Sequence, residues 1–268
     1  MARLSSLILI SSLLVGLSPL SAVIVAPDET MDLVTTLEKV GAMKTEGLPR
    51  AQANALQRYY EESFGGAENW QRVQSMRFEG KLHLADGPSL DFYAYLKKPN
   101  LCKIVVSVPG TERKIIMGYD GTDVWQSIPG ESGPQIGPMP KGEAANFIRD
   151  AWFGGHLLYP DLPGKTIETL ETTQKAGEQW MNLKVTTPEG PSVIYSIVIG
   201  EYLERQRSMV NQVNGETEVV TQSDFRDISG IQVPFSSILT SNGNLVHKML
   251  LSRVDVNRGV MPWMFQRP

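Results

Sequence analysis

From Ser75 onward, apolar residues recur at every second position, and short turns rich in Gly, Asn and Asp divide the chain into segments. A period of two is what a β-strand with one buried face requires, and it excludes amphipathic helices over this stretch. Phe78 opens a strand that runs through Leu82 and Leu84 to a turn at Asp86-Gly87-Pro88, and Leu90 to Leu96 forms the next. Cys102, Ile104, Val106 and Val108 then share one face, as do Ile115, Met117 and Tyr119 before the Asp120-Gly121 turn into Val124-Trp125. Later, Met181, Leu183 and Val185 alternate with polar residues. Val193 to Ile199, Leu203 to Val210, Glu216 to Phe225, Gln232 to Thr240 and Leu245 to Val256 follow, with Asn214-Gly215 and Asn242-Gly243 as tight-turn signals. The pattern predicts about ten strands hairpinned into one curved antiparallel sheet.

Two stretches break the period. Ala51, Ala55, Leu56, Tyr59 and Tyr60 recur at helical spacing after Pro49, and Gly65-Gly66 ends that helix. Ala67 to Gln74 adds one or two turns. Phe147, Ile148, Ala151 and Trp152 make a bulky stripe on a second helix, 142–153, closed by Gly154-Gly155. The intervening Ser127 to Lys141 is rich in Gly and Pro and is expected to be a loop. Met31 to Val40 has the spacing of a further short helix.

The N-terminus has the pattern of an export signal: Arg3, an apolar stretch from Leu4 to Leu17, then Leu20-Ser21-Ala22 with small residues where a signal peptidase cuts. The apolar run is shorter than the roughly 20 residues of a bilayer span. Position 23 is Val, not the cysteine that a lipid-anchored protein needs there. The expected organisation is a signal peptide at 1–22, an N-terminal helical segment at 23–74, and the sheet at 75–268 with the inserted helix 142–153.

Cys102 is the only cysteine, so no internal disulfide can staple the fold; its apolar neighbours predict a buried small hydrophobe. The net charge is −4, and no basic run marks a nucleic-acid partner. His83, His156 and His247 lie far apart with no metal-ligand spacing, and no nucleophile elbow or phosphate-binding glycine loop occurs. Asp120 and Asp123, like Asp224 and Asp227, are accounted for by turns. The expectation is therefore a protein that is not an enzyme and has no cofactor or metal. A strongly curved sheet encloses either a ligand cavity under a helical cover or an ordinary filled core, and the pattern of residues is compatible with both.

Several stretches in order resemble one family. Tyr60-Glu61-Glu62-Ser63-Phe64-Gly65-Gly66 leads by Trp70 and Val73 into Met76-Arg77-Phe78-Glu79-Gly80, and Lys97-Lys98-Pro99-Asn100 precedes a strand carrying Lys103. Tyr119-Asp120-Gly121-Thr122-Asp123-Val124-Trp125 makes a hairpin. Asp224-Phe225-Arg226-Asp227-Ile228-Ser229-Gly230-Ile231-Gln232-Val233-Pro234-Phe235 comes later, and Val254-Asp255-Val256-Asn257 and Phe265-Gln266-Arg267-Pro268 close the chain. From Tyr60 to Pro268 this order resembles the LolA/LolB-like family of outer membrane lipoprotein-sorting proteins. The resemblance implies a mainly β, α+β fold: an unclosed antiparallel β-barrel with helices packed on its concave side. It also implies a monomeric periplasmic carrier of lipid or lipoprotein acyl chains, working with inner-membrane and outer-membrane envelope proteins.

Two departures bear on cargo. The stretch from Val23 to Pro49 exceeds what the family pattern needs, and no residue here matches the cavity arginine of the classical carrier. Related half-barrels also serve as envelope-stress sensors, so a sensing or protein-docking module with a filled core is the alternative. On the carrier alternative, Met117, Trp125, Phe147, Ile148 and Trp152 are the expected ligand-binding residues at the cavity mouth. Helix 142–153 is then a lid tethered by the Gly/Pro-rich stretch from Gly130 to Gly142. The 11 methionines suit an adaptable cavity wall. Cleavage after Ala22 should leave a soluble product whose N-terminal sequence begins at Val23; recovery of an uncut chain, or recovery in detergent only, would refute this.

Overall fold

The computed structural model describes residues 48–159, 162–187 and 192–268. The signal peptide expected at 1–22, the 23–47 stretch and the short helix expected at Met31 to Val40 lie outside the described residues.

Helix α1 (Arg50–Phe64) starts after Pro49 and ends at Gly65, whose φ of 70° is the left-handed cap that a residue without Cβ takes most easily. Helix α2 (Gly66–Arg72) follows at once. Six strands come next: β1 (Ser75–Leu84), β2 (Ser89–Lys97), β3 (Leu101–Ser107), β4 (Lys114–Tyr119), β5 (Val124–Gly130) and β6 (Gly133–Pro138). After α3 (Lys141–Ala151) and a 3-10 turn (His156–Leu158) the rest is strand. It comprises β7 (Thr166–Thr169), β8 (Thr173–Lys175), β9 (Glu178–Thr186), β10 (Val193–Val198), β11 (Leu203–Val210), β12 (Thr217–Ile228), β13 (Ile231–Ser241) and β14 (Asn244–Val256). A 3-10 turn, Pro262–Phe265, ends the fold.

All strands join one antiparallel sheet in the order β6-β5-β4-β3-β2-β1-β14-β13-β12-β11-β10-β9-β7, with β8 also on β9. The sheet curves into an unclosed barrel with the helices on its concave side. Its free ends, β6 and β7, are joined through α3 and the 3-10 turn. The inner face is apolar in alternation: Phe78 and Leu82 on β1, Phe92, Ala94 and Leu96 on β2, Cys102, Ile104 and Val106 on β3. Leu56, Tyr59 and Tyr60 of α1, Trp70 of α2 and Phe147 and Ala151 of α3 complete that core. Cys102 is fully buried, as its neighbours predict.

The loop expected from Ser127 to Lys141 is instead a hairpin, because β5 runs to Gly130 and β6 pairs back along it from Pro138↔Trp125 to Gly133↔Gly130. Pro134 and Pro138 are tolerated there because β6 is an edge strand, where a missing N–H costs no ladder bond. The tether assigned to a mobile lid, Gly130 to Gly142, is thus mostly sheet. Where about ten strands are expected, the described residues form 14, the additions being β6, β7 and β8.

β1 and β14 meet in register from Met76↔Val256 to Leu84↔His247. Asn257, in a left-handed conformation at φ 56°, fastens the end of that ladder. Its Oδ1 accepts from the backbone N–H of Gln74 at 2.7 Å and of Ser75 at 3.1 Å, while its Nδ2 donates to the Arg72 carbonyl at 2.7 Å. Two histidines are buried. His247 sits opposite Leu84 and Leu239 on the inner face, and burial lowers its pKa to about 4. His156 is lowered to about 3 by burial and then by Lys165, Arg207 and Arg149.

Asn257→Ala should cost about 1–3 kcal/mol in chemical denaturation, from three lost hydrogen bonds and a non-glycine residue left at positive φ. An unchanged midpoint would show that the β1–β14 join does not depend on this clasp. Both histidines are neutral in the folded protein, so the unfolded chain binds more protons below its ordinary histidine pKa of about 6.5. Stability should therefore be full above that pH and fall as pH drops toward 4, and His247→Gln should flatten the decline in melting temperature over that window.

Candidate functional site

Helix α1 lies on the inner face across β11 and β13, and a void flanks it on each side. On one side is an open groove of about 540 Å3 between the N-terminal half of α1 and the start of β9 with the turn joining β10 to β11. Ala51, Ala55, Met181, Ile199 and Tyr202 supply its apolar surface, and Gln52, Asn54, Gln57, Arg58, Thr172 and Gln179 its polar surface. The Gln52 Oε1 atom is buried with no hydrogen-bond partner. Arg58 pairs with Glu62 at 2.7 Å and lies over the Tyr202 ring at 4.8 Å, both in solvent.

On the other side is a narrow crevice of about 70 Å3, lined by Tyr59, Phe64, Trp70, Met76, Phe78, Phe153, Phe225 and Pro234 among others. It has room for little more than two water molecules. Aromatic rings close it in sequence: Tyr59 on Phe64 at 5.5 Å, Phe64 on Trp70 at 5.2 Å, Trp70 on Phe153 at 5.4 Å. Lys98 reaches under this stack and donates to the Trp70 carbonyl near the C-terminal end of α2. Its Nζ lies 3.7 Å from the Trp70 ring centroid, and burial lowers its pKa to about 7.

The polar atoms that hold the helices against the strands are themselves buried. Arg207 is 1 % exposed, and its Nε and Nη2 donate to the two oxygens of Glu204 at 2.6 and 2.7 Å. Both side chains face inward although three positions separate them, because Arg205 is the extra residue of a bulge opposite Ser196 and Ile197. Tyr59 Oη donates to Glu204 at 3.3 Å, and Ser63 Oγ to the Tyr202 carbonyl at 2.7 Å, so α1 is latched to β11 and the turn before it. Burial alone would lower Arg207, but Glu204 more than offsets it and leaves the pKa raised.

Under α3, Arg149 donates to Asp150 Oδ1 at 2.9 Å and to Asn146 Oδ1 at 3.1 Å, and Asn211 donates to Glu218 at 2.7 Å. Burial pushes the Asp150 carboxyl well above the usual carboxylate range, against the pull of Arg149. Except for Asp150 Oδ2, which is buried with no hydrogen-bond partner, these groups are committed to one another. They present no nucleophile beside a base, and among the described residues no three His, Cys, Asp or Glu side chains gather to hold a metal ion.

Of the five residues expected at a cavity mouth, three come together in the inner core and Trp125 lies apart from them. Met117 and Phe147 are buried in the inner core, with Ile148 partly buried against it. Trp152 follows α3 and packs on Tyr159 at 4.8 Å and His156 at 5.8 Å. Trp125 lies on the opposite face of the sheet: it pairs with Gly118, between the inward-facing Met117 and Tyr119, and covers that glycine. None of the five lines the groove or the crevice. The buried ion pairs gave no sequence signal, since Glu204-Arg205-Gln206-Arg207 has the composition of an exposed strand.

No protein-family model and no curated protein matches the sequence. Solved structures do. A LolA superfamily protein from Nitrosomonas europaea superposes with a TM-score of 0.55 at 15% identity, over 80% of this chain and 97% of that one. An outer membrane lipoprotein-sorting protein domain from Vibrio parahaemolyticus gives 0.54 at 9% identity, over 79% and 94%. A DUF1329 family protein from Desulfovibrio piger gives 0.54 at 14%, over 80% and 95%. By its sheet order, its open seam and its inner helices, the chain has the fold of the LolA superfamily structures.

Proposed function

We propose that this protein is a non-enzymatic carrier that binds acyl chains of a lipid or lipoprotein in the periplasm and passes them toward the outer membrane. The observation that carries the proposal is the groove beside α1. At about 540 Å3 it falls within the roughly 300–1,000 Å3 of small-ligand sites, whereas the 70 Å3 crevice does not. Its apolar wall of Ala51, Ala55, Met181 and Ile199 would gain about 0.8 kcal/mol per methylene covered. The amides of Gln52, Asn54 and Gln57 with Arg58 offer donors for an ester or carboxylate head. The fold and the N-terminal export pattern support the same reading. In this proposal Met117, Phe147 and Ile148 are the apolar interior that a longer chain meets once α3 gives way, with Trp152 beside it. Trp125, on the other face, has no part in binding.

One observation favours the alternative of a sensing or docking module. The interior is filled: Leu56, Phe147, Leu157 and Leu158 have no exposed surface, and Trp70 only 1 %. Two measurements separate the readings. Protein purified from its own envelope fraction should carry lipid detectable by mass spectrometry and should take up a fluorescent fatty acid. Ala51→Trp fills the groove from an exposed position, so uptake should fall by about tenfold or more while the melting temperature moves by less than about 2 °C. A parent protein that arrives empty and takes up nothing would reject the carrier in favour of the filled-core module.

A further inference from the structure

The outer face of the sheet has a covered patch. Trp125 is 1 % exposed and Phe265 fully buried, although neither belongs to the inner core. The cover is the C-terminal segment: the 3-10 turn Pro262–Phe265 lies against β3, and Trp125 Nε1 donates to the Phe265 carbonyl at 2.8 Å. Gly118 makes room for this, since a Cβ there would stand 2.3 Å from the indole. Farther along, Arg267 donates to the Ile136 carbonyl on β6 at 3.4 Å.

This clamp holds two large apolar side chains out in water. Trp263 is 68 % exposed and Met261 53 %, on either side of Pro262. A tryptophan this exposed on an anchored turn does not contribute to the core; its indole has an apolar body and a polar N–H suited to a lipid–water boundary. The charge around it points the same way. From Asn257 to Pro268 the only charged side chains are Arg258 and Arg267, in a protein whose net charge is −4. Asp255, just before, is already paired with Arg253 at 2.9 Å. Cations flanking an exposed aromatic complement an anionic lipid surface.

We propose that the Met261–Trp263 turn docks the protein on an anionic bilayer surface. Trp263 and Met261 enter the interface, and Arg258 and Arg267 face the lipid phosphates. The inference does not depend on the carrier reading, because a module with a filled core would dock in the same way.

The test uses the mature protein and vesicles of phosphatidylcholine with or without phosphatidylglycerol, read by co-sedimentation and by quenching of tryptophan emission with brominated lipid. The parent should bind the phosphatidylglycerol vesicles and leave pure phosphatidylcholine largely unbound. Trp263→Ser with Met261→Ser should weaken binding by about tenfold or more, and Arg258→Gln should weaken it less and remove part of the salt dependence. All of these side chains are exposed, so melting curves should stay unchanged and any loss of binding is then not a loss of fold. No binding by the parent, equal binding by the double variant, or a Trp263-dependent dimer in sedimentation would overturn the proposal, the last by giving the patch to a second copy of the chain.

Discussion

The ladder between β1 and β14 is the pairing on which the barrel depends. Nearly every other neighbour in the sheet is also a neighbour in sequence, joined by a short turn, and forms locally. β1 and β14 meet across a separation of about 173 residues, the distance between Glu79 and Ser252. Closing a flexible loop of that length costs about 4–5 kcal/mol beyond a constant. Without the join there would be two separate meanders, each with an apolar face half covered. With it, Phe78 and Leu82 on β1 and Met249 on β14 become the middle of one concave surface. Gly80 marks the tightest point: its α-carbon lies so close to the Leu250 carbonyl that a Cβ would stand 2.3 Å away, at a bulge that bends the ladder.

Because the chain begins its sheet in the middle, the two free edges fall at β6 and β7, where the barrel stays open. Both edges are blunted against further pairing. β6 carries Pro134 and Pro138, and on the other side the partner row of β9 is split between β7 and the three residues of β8. The segment that spans the seam holds α3, whose Phe147 and Ala151 enter the core. The open side is thus closed by side-chain packing instead of by a strand ladder.

The sequence made the sheet legible wherever one strand face is wholly apolar, as on β2, β3, β9 and β10. It did not reveal β6, β7 or β8, whose residues are exposed or half-buried throughout, so that no alternation forms to be seen. Trp125 is expected from its hairpin at a cavity mouth, but it lies on the other face of the sheet. The face it takes is fixed by Gly118 and by Phe265 far along the chain, and neither carries a periodic signal. Glu204 and Arg207 were hidden for a related reason: a bulge at Arg205 shifts the phase, so two charged residues at an odd spacing share the inner face. The groove escaped the sequence as well, since it is made of ordinary helix-surface amides and the sheet residues that α1 leaves uncovered.

The same geometry says which parts can move if cargo enters. The long strands are held by hydrogen-bonded ladders, and separating such a pair breaks many hydrogen bonds at once. The helices instead rest on the sheet through side chains and a few polar latches. For α1 these are Ser63 to the Tyr202 carbonyl and Tyr59 to Glu204, both at its C-terminal half. Its N-terminal half, from Arg50 to Arg58, has no side-chain cap and borders the groove. Widening the groove from that end strains neither latch, whereas enlarging the crevice means separating Tyr59, Phe64 and Trp70. On the carrier proposal, access beside the start of α1 would therefore be the less costly route into the interior, and the hydrogen bond from the Tyr59 hydroxyl to the buried Glu204 would keep the C-terminal half of the helix docked.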